Sequence, residues 1–316
     1  MLLSLLLFTL GLVVLAVGAE VFLRGAVSVG LRFGISPFVI GLTIVGFGTS
    51  APELAVNLSA ALRGSTDMAM GNVVGSNIAN VGLIIGLSAL LTPLAVHMRL
   101  LRVETPVMIL FSLLLWGLCA DGMLSRFDAG ILLAGFIGMM LFIMRTAKGE
   151  PDEVQAELAS AVRAGRHPAS ALVFLGLGLA GLVGGAEMMV RSAISLAQLW
   201  GMSDLLIGLT IVAIGTSLPE LASSVVAALR GQNDIAVGNV VGSNLFNILL
   251  ILGVTGLVKP LPTAPSLLTA QIPVMIVFAV VLWAMMWRRK RVSRRTGALM
   301  LTGYVGFIVW QVVAAV

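Results

Sequence analysis

Residues 41–86 read GLTIVGFGTSAPELAVNLSAALRGSTDMAMGNVVGSNIANVGLIIG, and residues 208–253 read GLTIVAIGTSLPELASSVVAALRGQNDIAVGNVVGSNLFNILLILG. Aligned at an offset of 167, 30 of the 46 positions are identical. Identity at that level between two parts of one chain marks a duplicated structural unit. Each copy carries one glutamate, Glu53 or Glu220, inside an apolar run long enough to cross a bilayer. An ionised side chain is expensive in hydrocarbon, so a carboxylate at such a position is by default a functional group. Its recurrence in both copies strengthens that reading.

The composition agrees. The chain of 316 residues is 59% hydrophobic and 10% charged, with a mean hydropathy of +1.09. A soluble domain carries roughly 25% charged residues, so this is an integral membrane protein with no stretch left for a separate soluble domain. The formal charge of +5 and pI near 10.3 do not point to nucleic acid. The basic residues fall in short gaps between apolar runs, without aromatic interleaving, where they act as topology signals. Cys119 is the only cysteine, which excludes an intrachain disulfide. The N-terminal run lacks a basic leader and a cleavage site and reads as a retained first helix.

About 20 apolar residues cross the hydrocarbon core. On that ruler the chain holds ten spans, near 2–24, 36–62, 69–92, 104–121, 127–145, 169–197, 203–229, 236–258, 267–287 and 296–315. The offset of 167 maps the first five onto the last five, and it extends upstream, where Gly18-Ala19-Glu20 matches Gly185-Ala186-Glu187 and Arg24 matches Arg191. The expected organisation is a first repeat over 1–145, a polar linker over 146–168 and a second repeat over 169–316. Five spans per repeat is odd, so the second repeat enters the membrane from the opposite side. The fold class is therefore an all-α membrane protein of ten transmembrane helices, two inverted five-helix repeats with broken helices at the midplane. Alternate loops collect Arg32, Arg99, Arg102, Arg145, Lys148, Arg163, Arg166, Arg230 and the run Arg288–Arg295 on one side, against Arg63, Arg126 and Lys259 on the other, with Arg24 and Arg191 set aside as lying within or at the end of spans. The positive-inside rule makes the first side cytoplasmic, with the linker there and both termini outside.

In Gly48-Thr49-Ser50-Ala51-Pro52-Glu53 the proline removes a backbone donor, so the helix should kink or break and free carbonyls near Gly46 to Thr49. Those carbonyls need partners at a depth without bulk water, and a bound cation is one. Thr49 and Ser50 precede Glu53 by four and three residues, which would stack their oxygens near its carboxylate. Thr216, Ser217, Pro219 and Glu220 repeat the arrangement. Asn72, Ser76 and Asn80 recur every four residues on one polar face, as do Asn239, Ser243 and Asn247. Interhelical hydrogen bonding is the competing role for these amides and hydroxyls. Glu53 and Glu220 could likewise be structural, but the adjacent hydroxyls and proline favour a ligand role.

The result is an all-oxygen set with two negative charges. Hard cations such as calcium take six to eight oxygens in a flexible cage. Softer metals would need histidine or thiolate, whereas His97 and His167 lie in expected loops and Cys119 is remote from both motifs. Two carboxylates neutralise one divalent ion, two sodium ions or two protons, which permits exchange at a common site. Nothing calls for a cofactor. Asp67 and Asp234 read as helix N-caps or first-turn acids. Glu20–Arg24 and Glu187–Arg191 read as (i, i+4) ion pairs. The paired glycines Gly71/Gly75 and Gly238/Gly242 read as packing devices, and the Arg288–Arg295 cluster as a topology signal that also suits anionic lipid.

GTSxPE followed by GNxxGSN, present twice in inverted halves, resembles the calcium/cation antiporter superfamily, specifically its sodium/calcium exchanger branch. The chain is most similar in plan to the short prokaryotic members, which implies a prokaryotic inner membrane. The resemblance implies that Glu53 and Glu220 bind calcium and sodium in turn. It further implies oxygens from Thr49, Ser50, Ser76, Asn80, Thr216, Ser217 and Ser243, with backbone carbonyls near Gly46 and Ala213. Asn247 stands where exchangers of this type place an aspartate. Both motifs thus end in asparagine, which leaves two midplane carboxylates rather than three and leaves the driving ion open between sodium and protons.

Two other classes fit less well. An intramembrane enzyme needs a nucleophile with its base, or metal ligands such as HExxH, and the spans offer neither. A cation channel also uses acidic and carbonyl rings, but inverted repeats with broken helices favour alternating access.

Overall fold

The computed structural model of the chain describes residues 1–146, 168–201 and 213–315. Its helices are α1 (Leu2–Arg32), α2 (Pro37–Leu62), α3 (Thr66–Leu91), α4 (Leu100–Leu118), α5 (Arg126–Thr146), α6 (Pro168–Leu199), α7 (Leu218–Leu229, after the single turn Ala213–Gly215), α8 (Asn233–Val258), α9 (Leu267–Arg288) and α10 (Arg294–Ala315). Among the described residues, nine helices are long and apolar enough to cross a membrane. The seventh expected span is described from Ala213 onward; its residues 203–212, and the linker over 147–167, lie outside the described residues. The expected spans otherwise coincide with helices to within a few residues. The exception is α1, which continues past residue 24 to Arg32 with Ala26 buried. A ruler set by hydrocarbon thickness misses a helix that outruns the hydrocarbon and goes on packing against protein.

The inverted repeat is visible in the contacts. α1 and its counterpart α6 pack antiparallel along a seam of glycines. A Cβ on Gly18 would lie 2.6 Å from the Gly181 backbone, and one on Gly178 would lie 2.3 Å from the backbone nitrogen of Phe22. Small residues here let two backbones approach as no larger side chain would. The seam yields an expected result. Gly178→Ala should lower stability by about 1–3 kcal/mol through overpacking. Gly176→Ala, with no described atom within 4 Å, should be neutral or stabilising by up to about 1 kcal/mol, because alanine is the better helix former. Thermal melts in detergent would separate the two.

Four two-residue strands tie the loops. β1 (Leu94–Ala95) pairs antiparallel with β4 (Arg291–Val292), with Leu94 opposite Val292; β2 (Met123–Leu124) pairs with β3 (Leu261–Pro262), with Leu124 opposite Leu261. The first pair joins the α3–α4 and α9–α10 loops, the second joins the α4–α5 and α8–α9 loops. Each pair links loops assigned to the same membrane side by the alternation of spans.

At the centre stand α3 and α8, the most buried of the spans, while α1, α5 and α6 turn Leu, Val, Phe and Met side chains outward. A helix surrounded by protein can carry serine, asparagine and glycine where a lipid-facing one cannot, and these two hold both GNVVGSN motifs. Asp67 and Asp234 lie in the first turns of α3 and α8, as their positions before the motifs suggested. The two glutamate helices differ. α2 does not break at Pro52 but runs through it, preceded by a wider i→i+5 turn over Gly41–Val45. In the second repeat the helix is interrupted at Thr216 and Ser217 before it resumes at Leu218. Both devices release backbone groups from the regular ladder, and wide turns of this kind concentrate at functional sites.

Candidate cation-binding site

Glu53 on α2 is 1% exposed and Glu220 on α7 is 0% exposed. The same-helix stacking of Thr49 and Ser50 on Glu53 gives way to an exchange of partners between repeats. Ser50 Oγ donates to Glu220 Oε1 at 3.2 Å, and Ser217 Oγ donates to Glu53 Oε1 at 3.4 Å. Thr49 Oγ1 lies 3.3 Å from Asn239 Oδ1, and Thr216 Oγ1 lies 3.2 Å from Asn72 Oδ1. Each bond has its twin at the repeat offset, so α2 and α7 cross at the centre with each hydroxyl pair facing the other helix's acid. The physical reason is geometric. On a helix, (i, i+3) and (i, i+4) side chains lie side by side, both pointing outward, so their polar tips meet a facing helix as readily as each other.

The remaining candidates fill in around this crossing. Ser217 Oγ also lies 3.3 Å from Ser76 Oγ, whose hydroxyl can donate to it. Ser76 and Asn247 lie within polar reach of the Glu53 carboxylate, and the two carboxylates are close enough to repel. Thr49 Oγ1 donates back to the Val45 and Gly46 carbonyls at 3.0 and 3.3 Å, which brings the Gly46 carbonyl to the site. Ala213 occupies the equivalent place in the turn that precedes the α7 interruption. Asn80 and Asn247 sit at the wide turns Asn80–Ile85 and Phe246–Ile251.

Six buried polar atoms here have no hydrogen-bond partner among the described residues: Glu53 Oε2, Glu220 Oε2, Asn80 Oδ1, Asn247 Oδ1, Ser243 Oγ and Asn72 Nδ2. Four are acceptors only and come in two repeat-related pairs. A buried polar group without a partner is costly, and carboxylates most of all. Acceptor oxygens left over from both repeats fit a hard cation.

A cavity of about 560 Å³ reaches Glu53 from one side. Val56 and Met68, Ala186 and Glu187, and Gln311 line it, and Gly71 and Gly75 meet no described atom within 4 Å. Their counterparts Gly238 and Gly242 pack against the start of α2. A Cβ on Gly238 would lie 2.8 Å from the Phe38 carbonyl oxygen, and one on Gly242 would lie 2.3 Å from that of Leu42. The packing role expected of both glycine pairs holds for Gly238/Gly242; the repeat-related partners of Phe38 and Leu42, at positions 205 and 209, lie outside the described residues, so the role of Gly71/Gly75 is not tested by these contacts. Arg24 bonds Glu20 and Arg191 bonds Glu187, both at 2.5 Å, and Glu20 also holds Arg230, just past the end of α7.

The model of the sodium/calcium exchanger protein family matches residues 3–145 and 170–313, nearly the whole chain and both repeats. The chain belongs to the sodium/calcium exchanger family. It is 39% identical to the inner membrane protein YrbG of Escherichia coli over 315 residues, covering 98% of this chain and 96% of that one. It is 35% identical to the sodium/calcium exchanger MaX1 of Methanosarcina acetivorans over 340 residues, covering 96% and 97%. Among solved structures, the sodium-calcium exchanger NCX_Mj superposes with a TM-score of 0.83 at 32% identity, covering 98% of this chain and 99% of that one. Family membership makes the chain an integral membrane cation antiporter, not an enzyme, and one that needs no cofactor beyond the ions it carries.

Sequence reasoning passed over Asn77 and Asn244, which sit inside the repeated motif. It also left Asn72 and Asn239 outside the candidate ligands, although they receive the threonine hydroxyls. Identity in both repeats was the available signal for all four. Arg99 and Glu104 form a further buried pair, at 2.6 Å and with no counterpart in the second repeat, where Ser266 and Gln271 stand instead.

Proposed function

We propose that the chain exchanges calcium for sodium by alternating access, with Glu53 and Glu220 as the carboxylates that both ions share. The observation that carries this reading is the reciprocal serine–glutamate exchange between repeats. It engages one oxygen of each buried acid and leaves the second without a donor among the described residues. Thr49, Ser50, Ser76, Asn80, Thr216, Ser217, Ser243 and Asn247, with the carbonyls of Gly46 and Ala213, complete the oxygen set. Calcium enters through the cavity beside Glu53, binds both acids, and leaves on the far side once the repeats rock. The competing monovalent ion then displaces it. The empty site, with two buried negative charges, resists crossing, and this enforces exchange.

A second reading, calcium against protons at the same site, is favoured by Asn247. Two carboxylates accept two protons as readily as two sodium ions, and among the described residues no third acid joins the site to hold an extra monovalent ion. In either case one calcium is balanced by two monovalent charges. Both termini lie outside and the linker inside, following the basic residues, and anionic lipid contacts the Arg288–Arg295 cluster. The membrane is a prokaryotic inner membrane, in keeping with the E. coli relative.

Radioactive calcium uptake into proteoliposomes tests this, with an outward sodium gradient and, in parallel, an outward proton gradient. Uptake driven by sodium supports the first reading, and uptake driven only by protons supports the second. No calcium movement under either would refute both.

A further inference from the structure

The asparagines of the two GSN motifs form a pair of relays. Asn80 Nδ2 donates to Asn244 Oδ1 at 2.9 Å, and Asn244 Nδ2 donates to Met108 Sδ at 3.4 Å and to the Asn77 carbonyl at 3.5 Å. In mirror image, Asn247 Nδ2 donates to Asn77 Oδ1 at 3.0 Å, and Asn77 Nδ2 donates to Met275 Sδ at 3.5 Å. Positions 77, 80 and 108 become 244, 247 and 275 at the repeat offset, so the two relays are one device built twice. All six side chains are buried.

The direction of each relay follows from its far end. An amide is nearly the same shape either way round, but one face offers an oxygen and the other two N–H donors. A cation needs the oxygen. A thioether sulfur accepts and never donates, so Met108 and Met275 can meet only the NH2 faces of Asn244 and Asn77. That turns the oxygens of Asn244 and Asn77 toward Asn80 and Asn247, whose own NH2 groups must then answer. The oxygens of Asn80 and Asn247 are what remains, and they have no partner among the described residues.

We propose that Asn77 and Asn244, set by Met275 and Met108, are positioning residues that hold Asn247 and Asn80 with the amide oxygen, not the nitrogen, free for the transported cation. This rests on the exchange reading above. It also gives a reason for asparagine at 247. A carboxylate there would have no NH2 to meet the Asn77 oxygen and would have no wrong face to suppress.

The test is calorimetric titration of calcium chloride into the full-length chain in detergent, in two backgrounds. With Asn247 in place, Asn77→Leu should weaken calcium binding about tenfold, because the amide is then free to turn a donor to the ion. With Asn247→Asp, either orientation presents oxygen, and adding Asn77→Leu should cost less than about twofold. Met275→Leu, which keeps the side-chain volume, should repeat the pattern at about threefold if Asn77→Leu folds poorly. Equal losses in both backgrounds, or no loss with Asn247 in place, would overturn the positioning role alone. Failure of the wild-type chain to bind calcium at all would overturn the exchange reading and this inference with it.

Discussion

Glu53→Gln and Glu220→Gln should each lower calcium exchange by a factor on the order of 100 or more while leaving the fold intact. The magnitude follows from Coulomb's law. One unit charge is worth about 4 kcal/mol to another at 4 Å in a medium of effective dielectric 20, and calcium carries two. Losing even about 2.7 kcal/mol is a hundredfold loss in occupancy. The fold should survive because glutamine is isosteric and its carbonyl oxygen can still accept from Ser217 or Ser50, the partners seen at 3.4 and 3.2 Å. Removal of a buried, half-satisfied charge should if anything stabilise the protein. Radioactive calcium uptake, read beside a melting curve and a gel-filtration profile, separates the two effects. Wild-type uptake by either variant would remove that glutamate from the site.

The second large effect concerns charge. On the proposed reading, two carboxylates should exchange one calcium for two monovalent ions, so that no net charge moves. A potassium diffusion potential of about 60 mV should then leave both the rate and the final calcium gradient of the wild-type chain unchanged. Asn247→Asp adds a third acid beside Glu53 and Ser76, and the site should take a third monovalent ion against each calcium. One net charge across about 60 mV is worth about 1.4 kcal/mol, so the calcium ratio at equilibrium should shift about tenfold with voltage in the variant. A voltage-sensitive wild-type chain would show that a further charge crosses with the ions, and the two-carboxylate balance would fail.

Most of the fold is legible in the duplication. Thirty identities at one offset give the repeat, the odd number of spans gives its inversion, and the apolar runs place the helices to within a few residues. The acids and most of their oxygen partners are legible for the same reason, since Thr49, Ser50 and Glu53 recur as Thr216, Ser217 and Glu220. What spacing could not give is which helix each side chain answers. Ser50 stands three residues from Glu53 yet bonds Glu220, because helical neighbours are set by sequence whereas crossing partners are set by packing. The wide turns at Asn80–Ile85 and Phe246–Ile251 shift the register just where Asn80 and Asn247 sit, and no residue pattern announced them. Nor could repeated motifs reveal how closely Gly238 and Gly242 pack against the Phe38 and Leu42 backbone.

Efflux of radioactive calcium from loaded proteoliposomes, into media containing unlabelled calcium or only choline, tests the shared site without assuming the driving ion. Exchange through two buried acids that cannot cross empty predicts rapid efflux into calcium and almost none into choline. Equal efflux into both would mean that calcium leaves without a counter-ion, as through a pore, and would contradict alternating access at Glu53 and Glu220.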